Sequence, residues 1–304
     1  MASHLTRRRG GAFSSSSRTN SKTRKVNEAY APGPCQCRPR IGNHRPASGC
    51  IPPTELMRLS KTVLGSQGGG LQTPKKLREM MAGKLNVSPE DEASFVKALP
   101  ISSEEKLRLS KEYLRPEQPE AWKSDPDMWL DSNNIRDVMT QYEQDKADFK
   151  FLGPFPIDFA APDPHESKET CLVNEMCNLD IQALKGGGKT KVGIVYNLDP
   201  HYKGGSHWVA NYIDLNKHCC YYFDSYGMEA PKQIQKFMQF LTLKDPKMKL
   251  AYNARRFQFQ GSECGMYSMY FIIRMMMGEP FLRFCRRAPR DGVMLALRNW
   301  LFSK

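Results

Sequence analysis

The sequence has 304 residues and a formal net charge of +13, and the charge is unevenly distributed. Residues 1–80 contain 15 Lys and Arg against 3 Asp and Glu, so they carry 12 of the 13 net positive charges. No apolar run approaches the roughly 18 residues that span a membrane, and the N-terminal segment lacks an apolar signal core. We therefore expect neither a membrane span nor secretion. The nine cysteines have no framework spacing, which predicts free thiols in a reducing compartment.

The composition predicts three regions: a basic disordered arm over 1–70, an accessory helical region over 71–120, and a main domain over 121–304. Within the arm, the segment RRRGGAFSSSSRTNSKTRK is rich in Ser, Arg and Gly and has almost nothing to bury. Such a segment binds DNA or RNA through its charge, or it is a solubilising tail. Both interpretations remain open.

One set of residues in the arm is chemically able to bind zinc, namely Cys35, Cys37, His44 and Cys50. The spacing of the first two cysteines is tighter than is usual for zinc sites. Unrelated cysteines in a Pro-rich linker are the favoured interpretation, and the sequence predicts no metal or organic cofactor.

Three short amphipathic helices are predicted between about 71 and 115. Thr73 is a suitable N-cap because Pro74 follows it at the first helical position. Ser88 followed by Pro89 suggests a second start, and SSEEKLRLSKEYL suggests a third. No catalytic role is predicted for these helices.

The main domain begins with DPDMWLDSNNIRDVMTQYEQ, which predicts a helix capped near Asp131 or Ser132. Its inward-facing residues are predicted to be Trp129, Leu130, Ile135, Val138 and Met139. A strand is predicted over Lys191–Leu198, after the segment KGGGKT. That segment is not a phosphate-binding loop, because the required earlier glycine is replaced by Ala183 and the strand follows the glycines. We interpret it as a flexible loop.

Two β-rich runs, His207–Asp214 and His218–Ser225, predict a hairpin. A two-residue link of Asn216 and Lys217 would place Asp224 opposite Val209 and diagonal to His207 on one face. Diagonal neighbours lie about 7–8 Å apart, so long side chains can meet there. The imidazole and the carboxylate are therefore predicted to meet at the open end of the hairpin.

Cys264 opens the segment CGMYSMYFII, which is apolar nearly all round and predicts a buried helix. A predicted strand leads into it and ends at Gln258 and Gln260. The free N–H groups and the dipole of a helix N-terminus stabilise a thiolate, especially beside a histidine. Gly265 is expected to leave room for an approaching carbonyl group.

These residues predict nucleophilic catalysis by a thiol. Cys264 is the candidate nucleophile, His207 the base and Asp224 the group that orients the base. The side-chain amide of Gln258 and the backbone N–H of Cys264 are candidate donors to an oxyanion.

The order His207-Trp208, Asp224, then Gln258 six residues before Cys264-Gly265 resembles the SUMO-protease and adenovirus-protease superfamily of cysteine peptidases. The resemblance covers about 129–300. It implies an α+β fold with a small central mixed sheet packed between helices, a buried helix that carries the nucleophile, and a cysteine peptidase domain over 121–304. It also implies that Trp129 and Trp208 bind substrate, as the roof of a narrow tunnel for a Gly-Gly end.

The segments ECGMYSMYFI and DGVMLALRNWLF resemble the virion-maturation proteases of large cytoplasmic DNA viruses. The resemblance implies a cysteine endopeptidase that cuts viral structural precursors after Gly-Gly-type sites, in the virion and the host cytoplasm. One alternative is a cellular, nuclear protease that removes SUMO or ubiquitin-like proteins, although Ser132 stands where SUMO proteases have an acidic residue. The other is an inactive scaffold that binds nucleic acid.

Overall fold

The computed structural model describes residues 36–41, 46–65, 72–163 and 170–303. The predicted basic segment, Cys35 and His44 lie outside these residues. In the described ranges, none of the helices has the length and apolar character that crossing a membrane requires.

The described residues form eleven α-helices and five strands. The helices are α1 Pro53–Leu64, α2 Pro74–Leu85, α3 Glu92–Ala98, α4 Ser103–Tyr113, α5 Ser132–Asp145, α6 Asn174–Cys177, α7 Ile181–Gly186, α8 Lys232–Lys244, α9 Cys264–Met276, α10 Phe281–Arg286 and α11 Asp291–Leu301. The strands are β1 Phe149–Pro156, β2 Lys191–Asn197, β3 Trp208–Asp214, β4 Cys219–Phe223 and β5 Lys249–Tyr252.

The strands form one sheet in the order β1-β2-β3-β4-β5. The outer pairs are parallel and the inner pairs are antiparallel, so the sheet is mixed. In the β3–β4 hairpin Ala210 pairs with Phe223 and Asp214 with Cys219, which confirms the predicted register. The link is longer than predicted, because the ladder ends at Asp214 and leaves 215–218 to make the turn.

Helices cover both faces of the sheet, each over its own apolar core. On one face α9 packs against β3, and all 13 of its residues are buried. On the other face α8 contributes Ile234, Phe237, Met238 and Leu241 to a second core. This arrangement confirms the predicted α+β class and the buried helix that begins at Cys264.

Strand β1 was not predicted from the sequence. It contains Gly153, Pro154 and Pro156, which are residues that normally argue against a strand. The structure places it at the edge of the sheet, where a missing N–H costs least, and the register shifts between Leu152 and Phe155. An edge position therefore explains why prolines are accepted here.

The accessory helices α1–α4 pack around a separate apolar core. Thr73 and Ser102 cap α2 and α4 as predicted. Helix α3, which corresponds to the predicted start at Ser88, begins later than predicted, at Glu92. Asp91 rather than Ser88 accepts the capping bond from Ser94 N. The expectation of disorder over 1–70 is wrong for Pro53–Leu64, which forms α1 and buries four of its residues.

The accessory region docks on α5 and on the C-terminal segment. Arg38 donates to Gln144 Oε1 at 2.6 Å and lies 3.4 Å from Asp145 Oδ2. Gln141 Nε2 donates to Leu114 O at 2.8 Å. The backbone of Ser303 exchanges two hydrogen bonds with 116–118. The two regions are therefore joined by polar contacts along a helix of the main domain.

The cysteines differ from the expectation of free thiols. Cys37 is joined to Cys50, and Cys171 to Cys177, in disulfides. Cys37 and Cys50 are thus bonded to each other rather than arranged around zinc. Over the described ranges, no cluster of His, Cys, Asp or Glu is suited to hold a metal ion.

Candidate active site

His207 and Asp224 lie at the same end of the β3–β4 hairpin. His207 immediately precedes β3 and Asp224 immediately follows β4, so antiparallel pairing brings them together. The Nε2 atom of His207 lies 2.6 Å from Oδ1 of Asp224. The structure therefore joins the imidazole and carboxylate that the sequence register placed on one face.

The turn after β4 fixes the carboxylate of Asp224, which is buried. The backbone N–H groups of Tyr226 and Met228 donate to its two oxygens, at 2.9 and 3.3 Å. The side chain of Asn253 bonds both the N–H and the C=O of Asp224. Because every hydrogen bond comes from a buried or turn position, the carboxylate points at His207 in a single orientation.

Cys264 is the first residue of α9 and is 2 % exposed. One turn later, Ser268 Oγ donates to Trp208 O at 3.2 Å, which ties the helix to β3 beside His207. A Cβ at Gly265 would lie 2.9 Å from Leu130 Cδ1 and 3.2 Å from Trp208 Cδ1. Gly265 therefore lets the helix pack against these side chains, rather than leaving the open space expected for a substrate carbonyl.

The electrostatics link His207 to both neighbours. Burial by itself lowers the pKa of His207, but hydrogen bonds and charges from Asp224 and Cys264 raise it to about 9. Nε2 faces Asp224, and the Cys264 side chain is the second group that raises the pKa of the ring. Tyr226 stacks on the imidazole with centroids 4.6 Å apart and planes 16° apart. The raised pKa keeps the imidazole of His207 protonated at neutral pH.

Gln258 does not lie on a strand as predicted, because β5 ends at Tyr252 and 253–263 form an irregular connection. Its side chain is fully buried. Oε1 accepts from Ser225 Oγ at 2.6 Å, and Nε2 donates to Gln260 O at 2.6 Å. An amide nitrogen carries two hydrogens, so one remains for a substrate oxygen.

Asp291 holds the connection that carries Gln258. Its Oδ2 accepts from the backbone N–H groups of Phe259 and Gln260, at 2.9 and 3.1 Å. Its Oδ1 accepts from the hydroxyl of Tyr267, on α9, at 3.0 Å. The connection and α9 are therefore bridged by one carboxylate at the start of α11.

A buried ion pair fixes the start of α9. Arg298 Nη2 lies 2.6 Å from Glu263 Oε1, and both side chains are 3 % exposed. Burial raises the pKa of Glu263, although Arg298 opposes this effect. Arg298 also donates to Met128 O at 2.7 Å, so it links the residue before Cys264 to the segment before Trp129.

A cleft of about 440 Å³ reaches His207, and Trp129 and Trp208 line it. Trp208 is buried and donates from Nε1 to Leu130 O at 2.9 Å. Trp129 is 48 % exposed, so the expectation that it faces the core is wrong, whereas Leu130 and the other inward-facing residues of that group are buried. Gly204 and Gly205 also line the cleft.

Sequence reasoning missed the residues that support the site. Ser225 and Tyr226 directly follow Asp224, so their proximity was a usable signal. Asn253, Asp291 and Arg298 come from distant segments that only the fold brings together.

The other free thiols in the described chain are in different surroundings. Burial raises the pKa of Cys219 and Cys220 and raises that of Cys285 to about 11. Of these thiols, only Cys264 begins a helix and faces an imidazole.

Comparison with known proteins agrees with this geometry. Residues 197–292 match the model of the Ulp1 protease family, C-terminal catalytic domain. The chain is 37% identical over 158 residues to a thiol protease of Acanthamoeba polyphaga mimivirus, which covers 50% of this chain and 49% of that protein. It is 30% identical over 117 residues to the SUMO-1 cysteine protease of African swine fever virus, covering 36% and 43%. The chain thus spans about half the length, or less, of the curated relatives it matches.

The fold extends over more of the chain than the sequence matches. The crystal structure of the African swine fever virus protease superposes with a TM-score of 0.62 at 19% identity, over 90% of this chain and 98% of that one. This likeness includes the accessory region, since it covers nearly all of both chains. Residues 197–292 thus resemble the catalytic domain of the Ulp1 protease family, within a fold shared with a viral protease.

Proposed function

We propose that the protein is a cysteine endopeptidase in which Cys264 is the nucleophile, His207 the general acid and base, and Asp224 the orienting group. The observation that carries this proposal is the position of His207, which is paired with Asp224 and interacts with Cys264 at the start of α9. The match of 197–292 to a peptidase family supports the same roles.

The reaction follows from these positions. The sulfur of Cys264 attacks the scissile carbonyl carbon. The oxyanion that forms accepts one hydrogen bond from the Gln258 side-chain amide and one from the backbone N–H of Cys264. His207 then donates its proton to the departing amine, which breaks the peptide bond and leaves a thioester. Water, deprotonated by His207, hydrolyses the thioester and restores the thiolate and the imidazolium.

We further propose that the substrates carry glycine before the cut, as in Gly-Gly-type sites. Two indoles, of Trp129 and Trp208, line the cleft together with residues 204–205, and the bulk of these rings favours substrate residues without a bulky side chain. The similarity to two viral proteases supports processing of viral structural precursors in the virion and the host cytoplasm.

The test uses purified full-length protein and a peptide with Gly-Gly before the cut. We expect cleavage after the second glycine, no cleavage of a matched Ala-Ala peptide, and no cleavage of either by Cys264→Ala. Mass spectrometry of the products identifies the bond. Equal cleavage of both peptides would contradict the glycine preference, and cleavage by Cys264→Ala would contradict the nucleophile.

A second candidate is removal of SUMO or ubiquitin-like proteins, because one matched relative is named a SUMO-1 cysteine protease. Ser132, the first residue of α5, is uncharged at the position where the resemblance puts an acidic residue in SUMO proteases, although the preceding Asp131 also lines the cleft. SUMO and ubiquitin probes with a C-terminal aldehyde distinguish the two functions. Labelling of Cys264 by these probes, with no cleavage of short Gly-Gly peptides, would favour this second function.

We also propose that the basic segment within 1–70 binds DNA or RNA. Its excess of Lys and Arg supports salt-dependent binding through release of counterions. Replacing Arg7, Arg8, Arg9 and Arg18 by Gln should weaken binding to an oligonucleotide at low salt. Unchanged affinity at every salt concentration would contradict the proposal.

A further inference from the structure

Six exposed arginines lie close to the candidate active site, on two segments of the chain. We call them the arginine face: Arg255, Arg256, Arg283, Arg286, Arg287 and Arg290. By contrast, residues 81–304 as a whole are close to neutral, with one net positive charge. The positive charge of the catalytic domain is therefore concentrated locally.

Contacts between the two segments make the face continuous. Arg255 Nη1 donates to Arg286 O at 2.9 Å. Asp291, which follows Arg290, binds the backbone of Phe259 and Gln260. A groove of about 620 Å³ runs between Leu282, Arg283, Arg286 and Arg287. Two large apolar side chains lie within this positive surface, Phe259 at 70 % exposure and Leu282 at 69 %.

The arginines of this face differ from the buried arginines of the same protein. Arg38, Arg274 and Arg298 each form an ion pair with a carboxylate. In the described part of the chain, no carboxylate lies within 4.0 Å of a guanidinium of the arginine face. The carboxylate of Asp291 is committed to backbone N–H groups and to Tyr267. The face is thus available to an external anion.

The face adjoins the candidate catalytic residues through Arg256. Arg256 lies 5.2 Å from the ring centroid of Tyr226, which stacks on His207. Arg256 Nε also donates to Gln258 O at 2.6 Å. His207, Trp208 and Leu130 line the cleft, whereas Tyr226 and Arg256 are not among its lining residues. On the proposed reaction, a chain that lies in the cleft and crosses Cys264 continues past His207 and Tyr226 toward the arginine face.

We infer that the arginine face binds an acidic segment of the substrate on the carboxyl-terminal side of the scissile bond. This inference rests on the proposed peptidase function. Guanidinium groups bind carboxylates in a two-pronged geometry, and Phe259 and Leu282 offer apolar contact between the charges. A polypeptide occupant is favoured over a nucleic acid because the face continues directly from the residues that contact the scissile bond.

The test compares three peptides that share the Gly-Gly half and differ after the cut, where they carry Asp and Glu, Asn and Gln, or Lys. The protein is the full chain, as wild type and as a variant with Arg283, Arg286, Arg287 and Arg290 changed to Gln. A matched control changes Lys232, Lys236, Lys244 and Lys247 to Gln, which removes four charges from the opposite side of the sheet. Binding of the same peptides to Cys264→Ala is measured by fluorescence anisotropy.

We expect wild type to cleave the acidic peptide about tenfold more efficiently in kcat/KM than the amide peptide, with the difference shrinking at high salt. The four-arginine variant should lose this preference and keep its rate on the amide peptide, and the lysine control should retain the preference. Equal kcat/KM for all three peptides, or a preference that survives in the arginine variant, overturns the inference.

The binding assay separates the two levels of failure. If the acidic peptide binds tightly only when the four arginines are present but no peptide is cut, the surface stands and the peptidase proposal fails. If the arginine variant instead loses affinity for a single-stranded oligonucleotide while acidic peptides bind as weakly as neutral ones, the face is a nucleic-acid surface and the inference is wrong.

Discussion

The accessory region and the catalytic domain both bury charged pairs, but the pairs have different surroundings. In the accessory region Arg78 and Glu92 are 1 % and 0 % exposed and lie 3.1 Å apart inside the helical core. In the catalytic domain His207 is paired with Asp224 and also borders a cleft. The enclosed pair has no route to a substrate. Access to the cleft, rather than burial or pairing alone, therefore distinguishes the pair that is suited to chemistry.

The largest effect is expected on catalysis, from removal of the sulfur of Cys264. Cys264→Ala should lower kcat by at least about 10⁴, because the bond-forming atom is removed while only general positioning remains. The melting temperature should change little, since the replaced thiol is small. Steady-state kinetics and thermal unfolding measure the two effects. Retained activity with the variant would rule out Cys264 as the nucleophile.

The next largest effect is expected on stability, from removal of the buried Glu92 carboxylate in the accessory region. Glu92→Ala should lower the free energy of unfolding by about 3–5 kcal/mol, because it leaves the Arg78 cation buried without its partner carboxylate. Activity per folded molecule should be unchanged. Chemical denaturation measures the loss.

The control for that experiment is Glu120→Ala, which removes an exposed pair with Lys123 and should change stability very little. Equal destabilisation by Glu92→Ala and Glu120→Ala would contradict the distinction between enclosed and exposed pairs.

Gln258→Ala should lower kcat by about 10²–10³ and leave KM nearly unchanged, because one donor to the oxyanion is lost. Ser225→Ala should produce a smaller loss of the same kind, since Ser225 orients the amide through Oε1. A change confined to KM would show that Gln258 contributes to substrate binding instead.

The pH dependence of kcat/KM tests the pairing of His207 with Asp224 and Cys264. Because the pKa of His207 is raised from 6.5 to about 9, its ring stays protonated at neutral pH and loses its proton as the pH rises through about 9. The stability that this pairing adds is fully present below pH 6.5 and is lost on the same alkaline side. We expect kcat/KM to fall above about pH 9.

Titration of His207 by NMR in Cys264→Ala checks the cause, because removing the Cys264 sulfur should lower the pKa of the ring. An unchanged pKa in that variant would assign the whole shift to Asp224.

The smallest effect concerns selectivity among thiols. Brief alkylation with iodoacetamide at mildly acidic pH should label Cys264 before Cys219, Cys220 and Cys285, because burial raises the pKa of the other three. Peptide mapping measures the order. Simultaneous labelling of Cys285 and Cys264 would contradict it.

The parts of the site that sequence could predict are those governed by short-range rules. A two-residue link of Asn216 and Lys217, assumed between two β-rich runs, was enough to predict the register that joins His207 to Asp224, although the ladder ends earlier than assumed. The unbroken apolar character of α9 was enough to predict its burial and to place Cys264 at its start.

The parts that sequence could not predict depend on tertiary position. Prolines normally exclude a strand, and only the edge position of β1 allows them. Gln258 lies in an irregular connection because Ser225 and Asp291 hold it there, from segments that are distant in sequence. The role of Gly265 also follows only once Leu130 and Trp208 are known to pack against it.

Three consecutive residues, Asp224, Ser225 and Tyr226, contact both His207 and the segment that carries Gln258. Asp224 and Tyr226 hold His207, while Ser225 O accepts from the N–H groups of Phe257 and Gln258. The site is thereby insulated from changes in chain length between these two segments. Insertions in the connection from α8 to β5, at 245–248, should leave catalytic geometry intact, whereas a single insertion in the turn itself would displace the base and the amide together. Within this fold, chain length is therefore expected to vary in the connection at 245–248 and not in the turn at 224–226.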